Sequence, residues 1–202
     1  MSRVKKCDLD YLKIQTGSEI IKTVILFASS LAILIIGMVI TKGKNPDMSW
    51  FDAKNNILTI AAVLGILPAA RYLVNTIMFL KAKKHSMDHD KGMSFIEAVD
   101  PERILLRFDM YMTTEKVNFI IKSLTCAEDT IIGYTEDKAF KQKEFTEHIN
   151  TMLSKNGLKV NTIKIFDNAD KYCERLHAIN ETGYVQTDKD AAVMRLMENL
   201  SL

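Results

Sequence analysis

Two apolar runs dominate the first part of the chain, and neither shows the polar stripe of a soluble helix. TVILFASSLAILIIGMVI (23–40) is uncharged over eighteen residues. As a helix it rises about 27 Å, against a hydrocarbon thickness of about 30 Å. Its polar side chains are Thr23, Ser29 and Ser30, whose hydroxyls can bond back to helix carbonyls. ILTIAAVLGILPAARYLV (57–74) matches it in length. Between them, Gly43, Asn45 and Pro46 mark a turn region, and Trp50 and Phe51 suit a membrane–water interface. The pattern predicts a transmembrane hairpin over 23–80, with spans about 23–40 and 57–74, the second extending to 80 in a longer variant. The first run is long for a signal peptide, and its leader carries Asp8, Asp10 and Glu19, so it reads as a retained anchor.

After the hairpin the periodicity changes. Residues 1–22 read as an N-terminal segment and 81–103 as a polar juxtamembrane connector. From 104 to 202 short periods alternate. In ILLRFDMYM (104–112), Ile104, Leu106, Phe108, Met110 and Met112 fall on one face and Arg107 and Asp109 on the other, the period of a half-buried strand. In the next segment Val117, Ile120, Ile121 and Leu124 stand at helical spacing. The β-branched content of 115–126 leaves strand as the alternative. TIIGYT (130–135) and VNTIKIF (160–166) read as strands. Residues 138–156 and 169–179 read as helices, and Thr187 to Asp190 forms a capping box before a last helical face. The expected architecture is α/β: a two-helix transmembrane hairpin, then a small cytoplasmic α/β domain (104–202) with a mostly parallel sheet of about three strands.

Charge gives the hairpin an orientation. Residues 1–99 carry 13 Lys and Arg against 8 Asp and Glu, and residues 100–202 carry 14 against 17. Arg3, Lys5, Lys6, Lys13 and Lys22 precede the first span. Lys81, Lys83, Lys84 and Lys91 follow the second, and Lys42, Lys44 and Lys54 lie in the loop. The bias places both termini in the cytoplasm of a multi-pass protein. Cys7, Cys126 and Cys173 are widely spaced, with neither a CxxC nor a zinc spacing, and read as reduced thiols of the same compartment. The acidic second half carries no basic stripe, which argues against nucleic acid as partner.

Arg71 has two readings. In a span of 57–74 it lies one turn from the cytoplasmic end, with Tyr72 beside it as an interface anchor. In a span of 60–80 it lies near mid-membrane and needs a partner. The matched span lengths favour the first. Ala61, Gly65 and Ala69 recur every four residues, a small-residue face for helix packing, with Ala28 and Ala32 on the first span.

Candidate chemistry is sparse. Ligands of open α/β sheets bind beyond the carboxyl ends of the strands. There Glu136, Asp137 and Asp167 would converge if the strands are parallel neighbours, as catalytic carboxylates or, through Asp137 and Asp167, as ligands of Mg²⁺. Helix capping is the simpler role for such residues. His85 and His89, four apart, offer a weaker metal site. No GxGxxG, GxxxxGK[ST] or GxSxG occurs. No cofactor is expected, with Mg²⁺ reserved for the enzymatic reading. The expected partners are the lipid bilayer and a protein, by recruitment or self-association.

Two N-terminal spans followed by GYTEDKAFKQKEFTEHINTMLSKNGLKVNTIKIF (133–166) resemble a group of small bacterial two-span membrane proteins of unassigned activity. The resemblance implies a bacterial inner-membrane location and no particular reaction. Two functions remain: a membrane-tethered interaction or scaffold module, and a membrane-anchored metal-dependent enzyme or nucleotide sensor.

Overall fold

The computed structural model describes residues 5–47, 49, 56–114 and 117–202. It divides into two compact units: residues 14–83, and residues 5–13 with 84–202.

The first unit is a helix pair. Helix α1 runs Tyr11–Lys44 and α2 runs Ile57–Lys83, with Pro68 inside it. Both are long and apolar enough to cross a membrane. Their pairing is inverted relative to a soluble core. Thr16, Glu19, Thr23, Ser30 and Gly37 of α1 are buried, as are Ala62, Ala69, Thr76 and Phe79 of α2. Steps of three, four or seven residues separate them, the spacing of a knobs-into-holes seam. Ile21, Val24, Ile25, Leu31, Ile60, Leu64, Leu67 and Val74 point outward. The register is antiparallel. The Thr16 hydroxyl donates to the Phe79 carbonyl at 3.3 Å, and the Thr23 and Thr76 hydroxyls share a hydrogen bond of 2.9 Å. Close approach depends on glycine. A Cβ at Gly65 would lie 2.6 Å from Ser30 Oγ, and one at Gly37 2.8 Å from Leu58 Cβ.

The second unit is a four-stranded sheet between helices. After α3 (His89–Glu97) come β1 (Arg107–Thr113), β2 (Asn118–Ala127) and β3 (Thr130–Tyr134). Then follow α4 (Gln142–Lys155), β4 (Thr162–Phe166), α5 (Ala169–Glu181) and α6 (Asp188–Leu200). The strand order is β1-β2-β3-β4, with antiparallel neighbours except the parallel pair β3–β4. The sheet is therefore mixed, not mostly parallel, and has four strands rather than about three. The difference comes from 115–126. β2 is a central strand buried on both faces, so its apolar residues run without alternation. An uninterrupted apolar run contains helical spacings by chance.

Each face of the sheet has its own core. Phe145, Ile149 and Leu153 of α4 and Val193, Met194 and Met197 of α6 cover Met110, Met112, Phe119 and Ile121. On the other face Phe95 of α3 and Tyr172, Leu176 and Ile179 of α5 cover Ile104, Leu106, Phe108 and Ile132. The single apolar face expected for 104–112 is thus split. Phe108 and Met110 have the same parity yet enter opposite cores, because Asp109 between them takes a left-handed φ of 54°. The β1 edge is sealed by both ends of the chain. Phe108 N–H donates to the Cys7 carbonyl at 2.7 Å, and Tyr111 exchanges bonds with Ser201 Oγ and Leu202 N–H. Residues 5–13 and 84–103, expected as outlying segments, belong to this unit.

The β2–β3 hairpin turns through Glu128 and Asp129, both left-handed at φ 53° and 57°. A two-residue turn of this kind normally takes Asn-Gly. Replacing Glu128 with Asn, which tolerates that region, is expected to raise stability by about 0.5 kcal/mol, after loss of the exposed Arg175 ion pair. β-branched Val there is expected to cost about 1–2 kcal/mol. Denaturant unfolding of the full chain in detergent checks both.

Candidate functional site

The parallel pairing of β3 with β4 brings their carboxyl ends to one edge of the sheet, where Glu136, Asp137 and Asp167 follow. They do not converge as ligands. Glu136 Oε1 accepts from Lys91 Nζ at 2.8 Å and from the Tyr134 hydroxyl at 3.0 Å, and Oε2 lies 3.4 Å from Lys122 Nζ. The Asp137 carboxylate accepts the Ala139 N–H at 2.9 Å, a turn contact. Asp167 is exposed, and the N-cap of α5 is its neighbour Asn168, which accepts the Lys171 N–H at 3.1 Å. Among the described residues no cluster of three His, Cys, Asp or Glu side chains is arranged to hold a metal.

Around Glu136 the structure builds a polar network. Lys122 is nearly buried in the middle of β2, and its ammonium donates to the Ser86 carbonyl at 2.9 Å. The Asp109 carboxylate, also buried, accepts from the Ser86 hydroxyl at 2.7 Å and from the Met87 N–H. Ser86, Met87 and Lys91, in and just after the stretch between α2 and α3, are thereby pinned to β1, β2 and the end of β3. The electrostatics follow the contacts. The Lys91 ammonium holds the Glu136 carboxyl below its ordinary range, and Glu136 raises Lys91 in return. Burial pushes the Tyr134 phenol up to about 12. Burial also pushes the Asp109 carboxyl up, against the bonds from Ser86 and Met87.

The other candidates fall apart spatially. His85 sits in the turn after α2 and stacks on Tyr111. His89 opens α3, its Nδ1 2.6 Å from Asp10 Oδ2. They share no helical face, because the helix breaks between them and Asp88 caps α3. Burial raises the thiols of Cys7, to about 11, and of Cys126, so both are inert packing groups.

In the helix pair, Lys22 lies over the Tyr72 ring at 5.8 Å. Arg71, next to Tyr72, is therefore at the level of Lys22 and Thr23, where the apolar run of α1 begins, and it is exposed. Gly65 and Ala69 lie on the seam, while Ala61 is exposed and Ala62 takes the buried position. Ala28 and Ala32 are likewise exposed, and Ser30 and Gly37 hold the α1 side. Trp50 and Phe51 lie outside the described residues.

The residues that sequence reasoning missed are Ser86, Asp109, Lys122 and Glu19. A lone lysine inside NFIIKSLTC and a lone aspartate inside RFDMYM were the available signals. Glu19 is buried on the seam. Its Oε1 accepts from Gln15 at 3.1 Å and Lys22 at 2.7 Å, and its Oε2 has no hydrogen-bond partner.

Comparison with known proteins yields no match among family models, curated proteins or solved structures.

Three outcomes test the site. Asp109→Ala strands the Ser86 and Met87 donors and is expected to cost about 1–3 kcal/mol, whereas Asp109→Asn keeps an acceptor and the left-handed backbone and costs less. A carboxyl lowered on folding stabilises the native state above its unfolded pKa, and that contribution is lost as pH falls through the folded value. The stability difference between wild type and Lys91→Gln is therefore expected to be full near neutrality and to vanish on acidification below the Glu range of about 4.3. Unfolding midpoints across pH read it directly. In the helix pair, Gly37→Leu is expected to part the seam at a cost of about 1–3 kcal/mol, seen as a lower thermal midpoint in detergent.

Proposed function

We propose that the chain is a membrane-tethered interaction or scaffold module: a two-span hairpin in a bacterial inner membrane, carrying a cytoplasmic α/β domain that engages a protein partner or a second copy. The observation that carries the membrane part is the inverted helix pair, small and polar side chains inside and large aliphatic ones outside. Water penalises such a surface, while lipid accepts it and rewards close backbone approach at small residues. The shared orientation of both ends draws on the way residues 5–13 and 84–202 belong to one unit. The cytoplasmic assignment draws on the lysines flanking the spans and on three free cysteines. The bacterial setting draws on the resemblance alone.

The interaction reading draws on how the polar side chains at the strand ends are used. Glu136 is committed to Lys91, Lys122 and Tyr134, and Asp137 to its own turn. The metal-dependent enzyme or nucleotide sensor would require Glu136, Asp137 and Asp167 to be redeployed around Mg²⁺.

Two measurements decide. A reporter fused after Leu202 that is active only outside the cytoplasm is expected to stay silent, and activity would reverse the orientation. Native mass spectrometry of the full chain, drawn from its own membrane, is expected to show a second polypeptide or a second copy at fixed stoichiometry. A lone chain carrying a divalent-metal mass that disappears in Asp167→Ala would favour the enzymatic reading instead.

A further inference from the structure

One end of the helical unit carries more positive charge than the unit itself neutralises. Lys22, Arg71, Lys81 and Lys83 lie there, on two helices. Their level follows from the register: Lys22 stands over Tyr72, Thr23 meets Thr76, and Thr16 meets Phe79. The acid at that end is Glu19, already bound to Lys22. Neither 20–41 nor 57–83 contains an Asp or Glu. Arg71, Lys81 and Lys83 are exposed, and none of the ion pairs among the described residues involves them.

The counter-charge must then come from outside this unit. Arg71 is level with the start of the apolar run of α1, so its guanidinium reaches the depth of phosphate groups rather than the hydrocarbon. Lys81 and Lys83 follow about 15–18 Å further along the same helix, within reach of the negative potential of a charged leaflet at low salt, where the Debye length is about 30 Å. Their spacing sends them to different sides of α2, so they form a collar rather than a stripe. Zwitterionic headgroups offer a phosphate but no net charge. We propose that this collar binds anionic phospholipids, Arg71 taking a phosphate directly and Lys81 and Lys83 adding a longer-range attraction through the surface potential that is felt at low salt. The inference rests on the membrane reading above and adds the class of lipid.

The test uses the full chain reconstituted at about 0.01 M salt in vesicles of mixed phosphatidylcholine and phosphatidylglycerol containing trace spin-labelled lipid, either phosphatidylglycerol or phosphatidylcholine. Electron paramagnetic resonance reads the motionally restricted fraction of each. Wild type is expected to prefer the glycerol headgroup by about fivefold, the weight of one basic residue near a charged surface. The triple variant R71Q/K81Q/K83Q is expected to restrict both lipids equally, and raising the salt should erase the preference in wild type. Equal restriction of both lipids by wild type, or an undiminished preference in the variant, would overturn the proposal and leave the hairpin in the membrane. No restricted component with either lipid would overturn the membrane reading as well.

Discussion

The helix pair depends on one geometric condition, that α1 and α2 come close enough for Ser30 to lie against Gly65 and Gly37 against Leu58. That approach leaves no room for large side chains beside the two glycines, and Phe79 enters only toward the far end of the seam. The approach turns most of the Leu, Ile and Val content of both helices to the outer surface and puts Thr16, Thr23 and Thr76 between them. Their hydroxyls pair with each other and with helix carbonyls, so these three polar side chains are satisfied within the pair. In water this arrangement forfeits the gain of apolar burial. In an apolar solvent it forfeits nothing, because packing and hydrogen bonds are then the terms that hold helices together.

The sheet obeys a different condition. Helices cover both of its faces, so β1 and β2 must feed two cores, yet a strand of strict period two feeds a fixed side at each position. The chain departs from that period between Phe108 and Met110 in β1 and near Lys122 in β2, residues that neighbour each other across the ladder. The cost is a left-handed Asp109 and two buried charged side chains. The compensation is local: Asp109 accepts from Ser86 and Met87, and Lys122 donates to Ser86 and pairs with Glu136. The departure from regular structure is thus where Ser86 and Met87 are fastened to the sheet.

This explains which parts were legible in the sequence. The two long helices announce themselves because apolar length is a property of a single segment. So does the capping box at Thr187 and Asp190, whose reciprocal bonds form within four residues. α4, α5 and β4 were placed because each shows one buried face, and β3 because its run, buried on both faces, is too short for a helix. β2 was not, since burial on both faces erases the period that separates strand from helix. The seam was misplaced by one residue, Ala61 for Ala62, because a step of four alone drifts off a seam that alternates three and four. The polar network was invisible for a further reason. Ser86, Asp109, Lys122 and Glu136 are between 13 and 50 positions apart, and only the pairing of β1, β2 and β3 assembles them.

The network also bears on what the strand ends can do. A divalent ion bound by Glu136 would have to draw that carboxylate away from both lysines. Lys91 is exposed and could turn to solvent at little cost. Lys122 is not free to do so. Its stem is held within β2, and its ammonium, nearly buried, would keep the Ser86 carbonyl but lose its nearest counter-charge. Glu136 is itself exposed, so water screens part of the loss, and the cost falls on the nearly buried Lys122 ammonium alone. A metal ion on Glu136 would therefore disturb the Lys122 contact while leaving the Asp109 contacts with Ser86 and Met87 in place. The same reasoning makes Lys122, rather than any of the three carboxylates, the residue on which the strand-end network turns.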